Sequence, residues 1–343
     1  MRIAIDGMGG DNAPEEIVKG CVEAAREISD ELYIVGIEEA IRKELKKYRV
    51  VPDNIKIVNA TQVITGEDSP VKAVRKKKDS SLVKSILLVK EGKCDVAVSA
   101  GNTGALMAGA LLMLGRIRGI ERPAIGTVYP QVDGRLTFLV DAGANPECKP
   151  SQLLQFALMG SIYMQKVLDV EEPKVGLVNI GTEDHKGTAV LKETYQLLKD
   201  SSLNFVGNIE AREIPYGPVD VFVCDGFTGN NLLKLTEGLA QRTIEMIRDL
   251  FMTNPLTKLS AVAMMKQLKE LKALLDYSEY GAAPLLGIQG AVLKMHGSSN
   301  ANAVRSSILK SRAYVEENVV SIISEAVDEY GETAGKEVTT ERE

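Results

Sequence analysis

The chain has 343 residues, of which 45% are hydrophobic and 26% charged, the mixture of a folded globular protein rather than a disordered one. At roughly 150 residues per domain, this length predicts two domains or one large α/β unit. The 41 Lys and Arg residues against 47 Asp and Glu give a net charge of −6, which disfavours a general nucleic-acid binder because such proteins are basic.

Short β-branched runs alternate with segments of helical period along most of the chain. In chain order, the predicted strands are residues 2–6, 32–35, 55–58, 95–99, 124–128, 136–141, 174–180, 204–206, 219–224 and 291–294. The predicted helices are residues 14–28, 103–114, 150–167, 188–198, 230–251 and 302–330. This alternation predicts an α/β fold whose mainly parallel sheet carries helices on both faces. In such sheets, ligands bind in the loops at the carboxyl ends of the strands.

No linker rich in Pro or Ser divides the chain. Residues 1–330 are therefore expected to form one large α/β domain that includes a helical excursion at about 251–277, and the polar residues 331–343 a frayed tail. The longest apolar stretches, such as 105–114, have about half the length that a bilayer requires, so no membrane span is expected. Four widely spaced cysteines and an acid at residue 6 indicate a protein of the reducing cytoplasm without a signal peptide.

Six loops that directly follow predicted strands are rich in Gly, Asn, Thr and Ser. They are residues 6–14, 101–104, 141–146, 181–187, 225–231 and 296–300. Glycines let the backbone approach a ligand, and helix N-termini present unpaired N–H groups. One such loop alone is as readily a helix cap as a ligand site. Six together predict a site for phosphate or another compact anion.

Several common site motifs are absent from the sequence. The first loop nearly matches a dinucleotide fingerprint, but Asn12 stands at the third glycine position. There is no G-x-x-x-x-G-K-[ST], no G-x-S-x-G and no Cys or His spacing typical of a metal site. The sequence therefore predicts no metal and no cofactor.

Both histidines of the chain, His185 and His296, lie in the strand-end loops, which favours a functional role for them. Lys186 stands at a predicted helix start, where its charge opposes the helix dipole. A purely stabilising role would not place it there, so anion binding is favoured. Cys224 ends a buried strand without a base nearby in sequence and is interpreted as a core residue.

Two surface features each allow more than one interpretation. The basic run Arg75, Lys76, Lys77 and Lys78 is either a solvated helix end or a docking site for an acidic partner. Residues 256–275 predict an amphipathic helix whose apolar face includes Met264, Leu268, Leu271 and Leu275. Such a helix lies on an anionic membrane, or packs on its own core or across a dimer.

Seven stretches of the chain, in order, resemble the bacterial phosphate acyltransferases of phospholipid synthesis, the PlsX family. They are DGMGGDNAP (6–14), SPVKAVRKKKDSS (69–81), SAGNTGALMAGA (99–110), DAGANPECKP (141–150), GLVNIGTEDHKGT (176–188), CDGFTGNNLLK (224–234) and LKMHGSSNANAV (293–304). The resemblance implies a three-layer, Rossmann-like α/β/α fold related to phosphotransacetylase and the isopropylmalate dehydrogenase group. It also implies that phosphate attacks the thioester of a fatty acyl chain on acyl carrier protein. It further implies a homodimer. This dimer would be in peripheral contact with the inner face of the cell membrane, either with the membrane surface or with the membrane-bound glycerol-3-phosphate acyltransferase that uses the acyl phosphate.

Roles for individual residues follow as hypotheses. Lys186 and the amides of Gly187 and Thr188 would bind phosphate. Asn230, with Asn102 as a second candidate, would stabilise the oxyanion or the phosphate, and His296 would assist the leaving sulfur or orient phosphate. Asp6, Asp11 and Asp225 would orient the loops. The other expected substrate-binding residues are Asn102, Thr103, Asp184, His185, Thr228, Gly229, Asn231 and Ser298. The basic run would receive acyl carrier protein, and the amphipathic helix would hold the enzyme at the membrane or in a dimer.

Two alternatives remain at the level of the sequence. One is another enzyme on the same scaffold, such as a short-chain phosphotransacetylase or an NAD-linked hydroxy-acid dehydrogenase. The other is a non-catalytic scaffold that recruits acyl carrier protein to the membrane.

Overall fold

One eleven-stranded sheet organises the part of the chain that the computed structural model describes, which comprises residues 1–131, 134–268, 271 and 282–340. In chain order, the strands are β1 (Arg2–Asp6), β2 (Glu31–Gly36), β3 (Ile55–Asn59), β4 (Val96–Ser99), β5 (Ala124–Pro130), β6 (Leu136–Val140), β7 (Val175–Asn179), β8 (Phe205–Glu210), β9 (Val221–Val223), β10 (Ala283–Leu286) and β11 (Ala291–Lys294). The spatial order is β3-β2-β1-β4-β11-β10-β5-β6-β9-β7-β8.

The sheet consists of two parallel blocks that run in opposite directions. Strands β3, β2, β1, β4 and β11 are parallel to one another, as are β6, β9, β7 and β8. Between the blocks, β10 and β5 are antiparallel to each of their neighbours. The mainly parallel α/β sheet is confirmed, but the strand-end loops of the two blocks leave the sheet at opposite edges.

The helices flank both faces of the sheet. They are α1 (Glu15–Ala25), α2 (Glu38–Leu45), α3 (Pro70–Lys76), α4 (Ser81–Lys90), α5 (Thr103–Met113), α6 (Pro150–Val167), α7 (Ala189–Lys199), α8 (Gly226–Phe251), α9 (Pro255–Ala263), α10 (Ala301–Glu316) and α11 (Val319–Thr340), with a 3-10 helix at Ala211–Tyr216. The predicted tail at 331–343 therefore begins within a helix.

Alternating strand residues build the three layers. Phe138 and Val140 of β6 face a core shared with α1, α6 and α10, whereas Leu139 between them joins a second core on the opposite face. A third core lies among α3, α4 and α5 and includes Ile125 and Leu285. Because successive side chains of a strand point to opposite faces, fully apolar strands are the expected sequence of a sheet covered on both sides.

Several elements differ from the sequence-based prediction. Strand β10 and helices α2, α3 and α4 were not predicted. The single helix expected over 302–330 is two helices, because Asn318 interrupts it with a φ of 50°. The amphipathic helix expected over 256–275 is also interrupted, since α9 ends at Ala263 and Met264 is its C-cap. Leu275 lies outside the described residues.

Helix α8 is long and only its first turn is buried. Gly226 and Gly229 are its buried residues, and α9 has none. Large apolar side chains are exposed along both helices: Leu235, Leu239, Met246, Leu250, Leu256, Leu259 and Val262. No helix among the described residues has the length and apolar character that crossing a bilayer requires.

Candidate active site

The carboxyl ends of β1 and β4 share a buried charge. The Asp6 carboxylate is almost inaccessible; it accepts the Ser99 hydroxyl at 2.7 Å and the Met8 N–H at 3.3 Å. Burial raises the pKa of Asp6, and these hydrogen bonds act in the opposite direction. The first strand-end loop is therefore fixed to its neighbour by an acid, in agreement with the loop-orienting role expected from the sequence.

The loop after β1 also binds the loop after β11. The Asp11 N–H donates to the Gly297 carbonyl at 2.8 Å, and the Asn12 side chain donates to the Ser298 carbonyl at 3.1 Å. Gly10 has a φ of +96°, and a Cβ there would lie 2.8 Å from the Gly297 oxygen. The glycines that look like a dinucleotide motif thus allow two backbones to touch.

Lys294 is the last residue of β11 and stands opposite Ser99 of β4. Its ammonium donates to the Ala100 carbonyl at 3.2 Å and to the Met295 carbonyl. Burial lowers the pKa of Lys294 to about 8, although the charges of Asp6 and Asp11 act to raise it. A cation therefore stands at the carboxyl edge of the first block.

His296 lies two residues after Lys294, and its imidazole ring is held by the loop in which it stands. The Ser298 backbone N–H donates to Nδ1 at 3.2 Å, and the Ser298 hydroxyl lies 2.7 Å from the same nitrogen. Since Nδ1 accepts the backbone N–H, the neutral ring carries its proton on Nε2. Nε2 lies 3.7 Å from the Glu237 carboxylate of α8.

Asn102 is the N-cap of α5, and its side chain is fully engaged. Its oxygen accepts the Ala105 N–H at 3.0 Å, while its NH₂ group donates to the carbonyls of Thr65, Gly66 and Asp68 at 3.1–3.3 Å. Asn102 therefore holds α5 to the loop before α3. The next residue, Thr103, lines a cavity between α8 and the sheet.

The loop after β6 is organised by Asp141, which is fully buried. Its carboxylate accepts four backbone N–H groups, from Ile125, Gly143, Ala144 and Asn145, and the Asn145 side-chain amide, at distances of 2.7–3.1 Å. Burial raises the pKa of Asp141, and the N–H donors oppose that rise.

Helix α8 starts against this loop. The Asp225 carboxylate caps it by accepting the Thr228 N–H at 2.7 Å, and the Gly226 N–H donates to the Asn145 carbonyl at 2.7 Å. The next turn carries Asn230, whose side chain is exposed to the cavity beside Gly143. The Asn231 side chain instead donates to the Phe227 carbonyl at 2.8 Å.

A cavity of about 830 Å³ lies between α8 and the centre of the sheet. Its polar lining includes Thr103, Asn230, Lys234, Glu237, Lys294, His296 and Ser298, and its apolar lining includes Ile125, Ala142, Leu233, Ala240 and Ile244. Tyr129 of β5 and Thr236 of α8 join their hydroxyls at 3.0 Å, which anchors the helix over the sheet.

Helix α8 brings together loops that the sheet separates. Asn230 lies near the carboxyl edge of the second block, and Glu237, seven residues or about 10 Å further along the helix, contacts His296 of the first block. Thr103, Asn230, His296 and Ser298 of the expected site therefore share one cavity.

The Lys186 loop is not on the lining of this cavity. It follows β7, which neighbours β9, so it leaves the sheet at the same edge as the Asn230 turn. Asn179 fixes it by donating to the Lys186 carbonyl at 3.2 Å, and Thr188 caps α7 through the Leu191 N–H. The Lys186 ammonium lies 3.9 Å from Glu183. Gly187 has a φ of +90°.

The remaining expected residues are not on the cavity lining. Asp184 and His185 are exposed, with 3.4 Å between the carboxylate and Nδ1. Thr228 and Gly229 belong to the first turn of α8. Cys224 is buried, and burial raises the pKa of its thiol well above the ordinary value, which fits a core residue and not a nucleophile.

The basic run and the apolar stripe are mostly exposed. Arg75, Lys76 and Lys78 face solvent, but the Lys77 ammonium is bound to Asp68 at 2.6 Å and to the Val63 carbonyl at 2.9 Å. In the expected apolar stripe, Met264 and Leu271 are exposed and Leu268 is half-buried.

Lys294 and Glu237 are site residues that the sequence reasoning missed. Lys294 had a detectable signal, because a lysine ends an otherwise apolar strand immediately before the M-H-G-S-S turn. Glu237 had none, since it is one polar residue among several on a long amphipathic helix.

Gly229→Ala tests the close packing at the start of α8. A Cβ there would lie 2.0 Å from the Asp141 carbonyl oxygen, so the first turn must shift and displace Asn230. We expect the free energy of unfolding to fall by about 1–3 kcal/mol, measured by denaturant titration, together with a loss of transferase activity. Gly238→Ala is the matched control in the same helix, because among the described residues its Cβ position has no neighbour within 4 Å apart from the adjoining backbone of the helix. It should raise stability by about 0.5–1 kcal/mol, and equal effects of the two variants would contradict the proposed contact.

Comparison with known proteins identifies the family of the chain. The family model described as "Fatty acid synthesis protein" matches residues 1–322. The phosphate acyltransferase of Alkaliphilus oremlandii is 50% identical over 332 residues, covering 97% of this chain and 99% of the relative. That of Halothermothrix orenii is 51% identical over 335 residues, covering 97% of this chain and 100% of the relative.

The solved structures that resemble the chain share its fold. A phosphotransacetylase from Streptococcus pyogenes matches with a TM-score of 0.64 and 18% identity, over 92% of this chain and 94% of its own. EutD phosphotransacetylase from Staphylococcus aureus matches with a TM-score of 0.56 and 15% identity, over 92% and 94%. The fold expected from the resemblance is therefore confirmed. By its family model and its relatives, the chain belongs to the phosphate acyltransferase family and is an acyltransferase of lipid synthesis.

Proposed function

We propose that this transferase moves a fatty acyl chain from acyl carrier protein to inorganic phosphate, releasing acyl phosphate and free carrier. The cavity under α8 is the observation that carries the proposal. It combines hydrogen-bond donors and a cation, including Asn230, His296 and Lys294, with apolar side chains of β5 and α8 such as Ile125 and Leu233. These are the two environments that a phosphate and an acyl chain require.

The reaction needs positioning more than covalent catalysis. A phosphate oxygen forms a bond to the thioester carbonyl carbon, and the carbon–sulfur bond breaks as sulfur leaves with the electron pair and takes up a proton. Holding the two reactants together supplies much of the acceleration. Preorganised donors stabilise the oxyanion that develops between the two steps.

The site residues have distinct roles in this scheme. Asn230 donates its amide to the oxyanion. His296 presents the Nε2 proton to the leaving sulfur or to phosphate, and Ser298 fixes its tautomer. Thr103, at the first turn of α5, is the ligand-facing neighbour of the capping residue Asn102.

The Lys186 loop supplies phosphate contacts from the adjacent strand end. Its ammonium, with the amides of Gly187 and Thr188 at the start of α7, forms a helix N-terminus suited to an anion. Its position beside the Asn230 turn, at the edge shared by β7 and β9, supports this assignment.

Acyl carrier protein docks on the exposed cations of the basic run. The run ends helix α3, whose first residue, Pro70, packs beside Gly104 next to Thr103 of the cavity. Arg75, Lys76 and Lys78 are the docking residues, since Lys77 is engaged internally. Salt should slow association with an acidic carrier, and a salt-independent on-rate would contradict this site.

The exposed apolar surface of α8 and α9 contacts a second copy of the chain, and the tip at α9 contacts the membrane. Leu235 and Leu239 of α8 and Leu256 and Leu259 of α9 are each more than half exposed, with relative accessibilities of 59–78%. Leu235 and Leu239 are one helical turn apart and so lie on one face of α8, and large exposed apolar surfaces mark interaction sites. Sedimentation equilibrium tests the dimer, and a monomer mass at assay concentrations would refute it.

Incubation with palmitoyl carrier protein, with and without orthophosphate, tests the proposed function directly. Mass spectrometry should detect acyl phosphate only when phosphate is present. Faster turnover of acetyl-CoA would indicate a short-chain phosphotransacetylase, and an absorbance change with NAD a dehydrogenase. Carrier binding without loss of thioester would indicate a recruiting scaffold.

A further inference from the structure

Two lysines, Lys234 of α8 and Lys294 of β11, line the cavity, and the proposed residue roles assign neither of them to a particular reactant. Lys294 lies on the cavity wall together with Thr103, Asn230 and His296. Lys294 is the last residue of β11, a strand paired on both sides, so its backbone is held in a fixed position. A side chain on a rigid strand places its charge more reproducibly than one on a loop.

The ammonium of Lys294 has one more donor than its protein partners use. An ammonium group carries three N–H donors, and the carbonyls of Ala100 and Met295 accept two of them. No further acceptor for it lies among the residues that the structure describes, so the third N–H remains for a ligand in the cavity. These two carbonyls also hold the group at the cavity wall instead of letting it extend into solvent.

The charged groups around Lys294 leave its ammonium able to bind an anion. Asp6 and Asp11 attract it from β1 and the following loop. On the cavity side, the lining includes His296 and three charged residues of α8, Lys234, Glu237 and Glu245. Asp6 is already bound by hydroxyl and backbone donors. Lys294 is therefore not required to satisfy that carboxylate's hydrogen bonds.

We propose that Lys294 binds the attacking inorganic phosphate, donating its third N–H to a phosphate oxygen on the cavity wall opposite Asn230. This inference rests on the proposed function and adds to it the cation that the first block of the sheet contributes. The phosphate is then held between residues of both blocks, which α8 brings together.

Two readouts test the role of Lys294. Lys294→Met removes the charge with little change of volume, and we expect it to raise the KM for phosphate about 10- to 100-fold. The KM for the acyl carrier substrate should change less than about 2-fold. Inorganic phosphate should raise the melting temperature of the unmodified protein, and this rise should largely disappear in Lys294→Met.

The pH profile gives a second, independent signature. Because the pKa of Lys294 is lowered to about 8, the ammonium is present below that pH and lost above it. Phosphate affinity should therefore fall as the pH rises through 8. Lys294→Arg keeps its charge, so its phosphate affinity should not show this fall. This variant also serves if Lys294→Met does not fold.

Lys199→Met is the control, because Lys199 is an exposed lysine at the end of α7. Its phosphate KM should equal that of the unmodified protein, and sodium chloride at matched ionic strength should not replace phosphate. Two results would overturn the inference even if thioester cleavage still depended on phosphate. One is an unchanged phosphate KM in Lys294→Met, and the other is a fall of phosphate affinity above pH 8 in Lys294→Arg. Phosphate stabilisation that depends on Lys294, without any thioester cleavage, would instead leave this binding role standing and refute the proposed function.

Discussion

Asn230→Ala is expected to lower kcat for acyl phosphate formation by about 10²–10³-fold, the usual effect of deleting one oxyanion donor. The side chain lies at the start of α8, where the buried contacts of Gly226 and Gly229 with the Asp141 loop fix the helix. Its amide is exposed to the cavity and caps no helix. Removing it should therefore affect the transition state, with little change in the KM for acyl carrier protein. Steady-state kinetics with varied carrier and saturating phosphate measures both constants.

Two further variants make this result interpretable. Asn230→Asp keeps the shape but replaces donors with a carboxylate, so it should reduce kcat at least as strongly as Asn230→Ala. Asn204→Ala removes an exposed asparagine that binds the Glu172 carbonyl away from the cavity, and its kcat should stay within about 2-fold of the unmodified value. If a folded Asn230→Ala kept its full kcat, Asn230 would not be the oxyanion donor.

Much of the fold follows from local patterns in the sequence. Within the described part of the chain, ten of the eleven strands overlap predicted apolar runs, because strands buried on both faces are continuously apolar. Strand β10 escaped detection because it has four residues, A-P-L-L, and contains a proline. Helix α2 carries only two buried residues, Ile41 and Leu45, among charged neighbours, so its period is faint.

The direction of the strands could not be deduced in the same way. The antiparallel pairs formed by β10 and β5 reverse the second block, and these pairings join residues far apart in sequence, such as Leu285 and Ile125. Loops of both blocks nevertheless meet, because α8 spans the distance between Asn230 and His296. The helical period of the sequence predicts that α8 forms, but it does not predict which strands of the sheet the helix passes over.

The sequence predicts which residues form the candidate site better than it predicts how they are arranged. Thr103, Asn230, His296 and Ser298 were identified from polar residues after strands, a signal that survives without knowledge of topology. The same signal selected Asn102, which the structure uses as a cap, because capping and ligand binding favour the same residue types. Lys294 was overlooked because it is the last residue of a strand and not part of the loop that follows.

The loop around Asp141 contributes to the stability of the fold and also positions the start of α8 at the candidate site. Asp141 receives N–H groups from Ile125 of β5 and from the loop that meets α8, so one side chain joins a strand to the loop against which the helix starts. Each buried donor left without an acceptor costs about 1–3 kcal/mol. Five N–H donors depend on this carboxylate. No rearrangement of the loop could supply all five with other acceptors at once.

Asp141→Ala is expected to lower the free energy of unfolding by about 3–5 kcal/mol, near the upper limit for a single substitution. Chemical denaturation followed by circular dichroism measures this loss as a lower midpoint. Asp220→Ala is the matched control, because its carboxylate accepts the Lys174 backbone N–H at 2.8 Å in a partly exposed position; it should lose about 1 kcal/mol. Asp141→Asn retains one acceptor oxygen but places an NH₂ group against the same donors, so it should lie between the two. Equal midpoints for Asp141→Ala and Asp220→Ala would show that water replaces the carboxylate and that the loop does not depend on it.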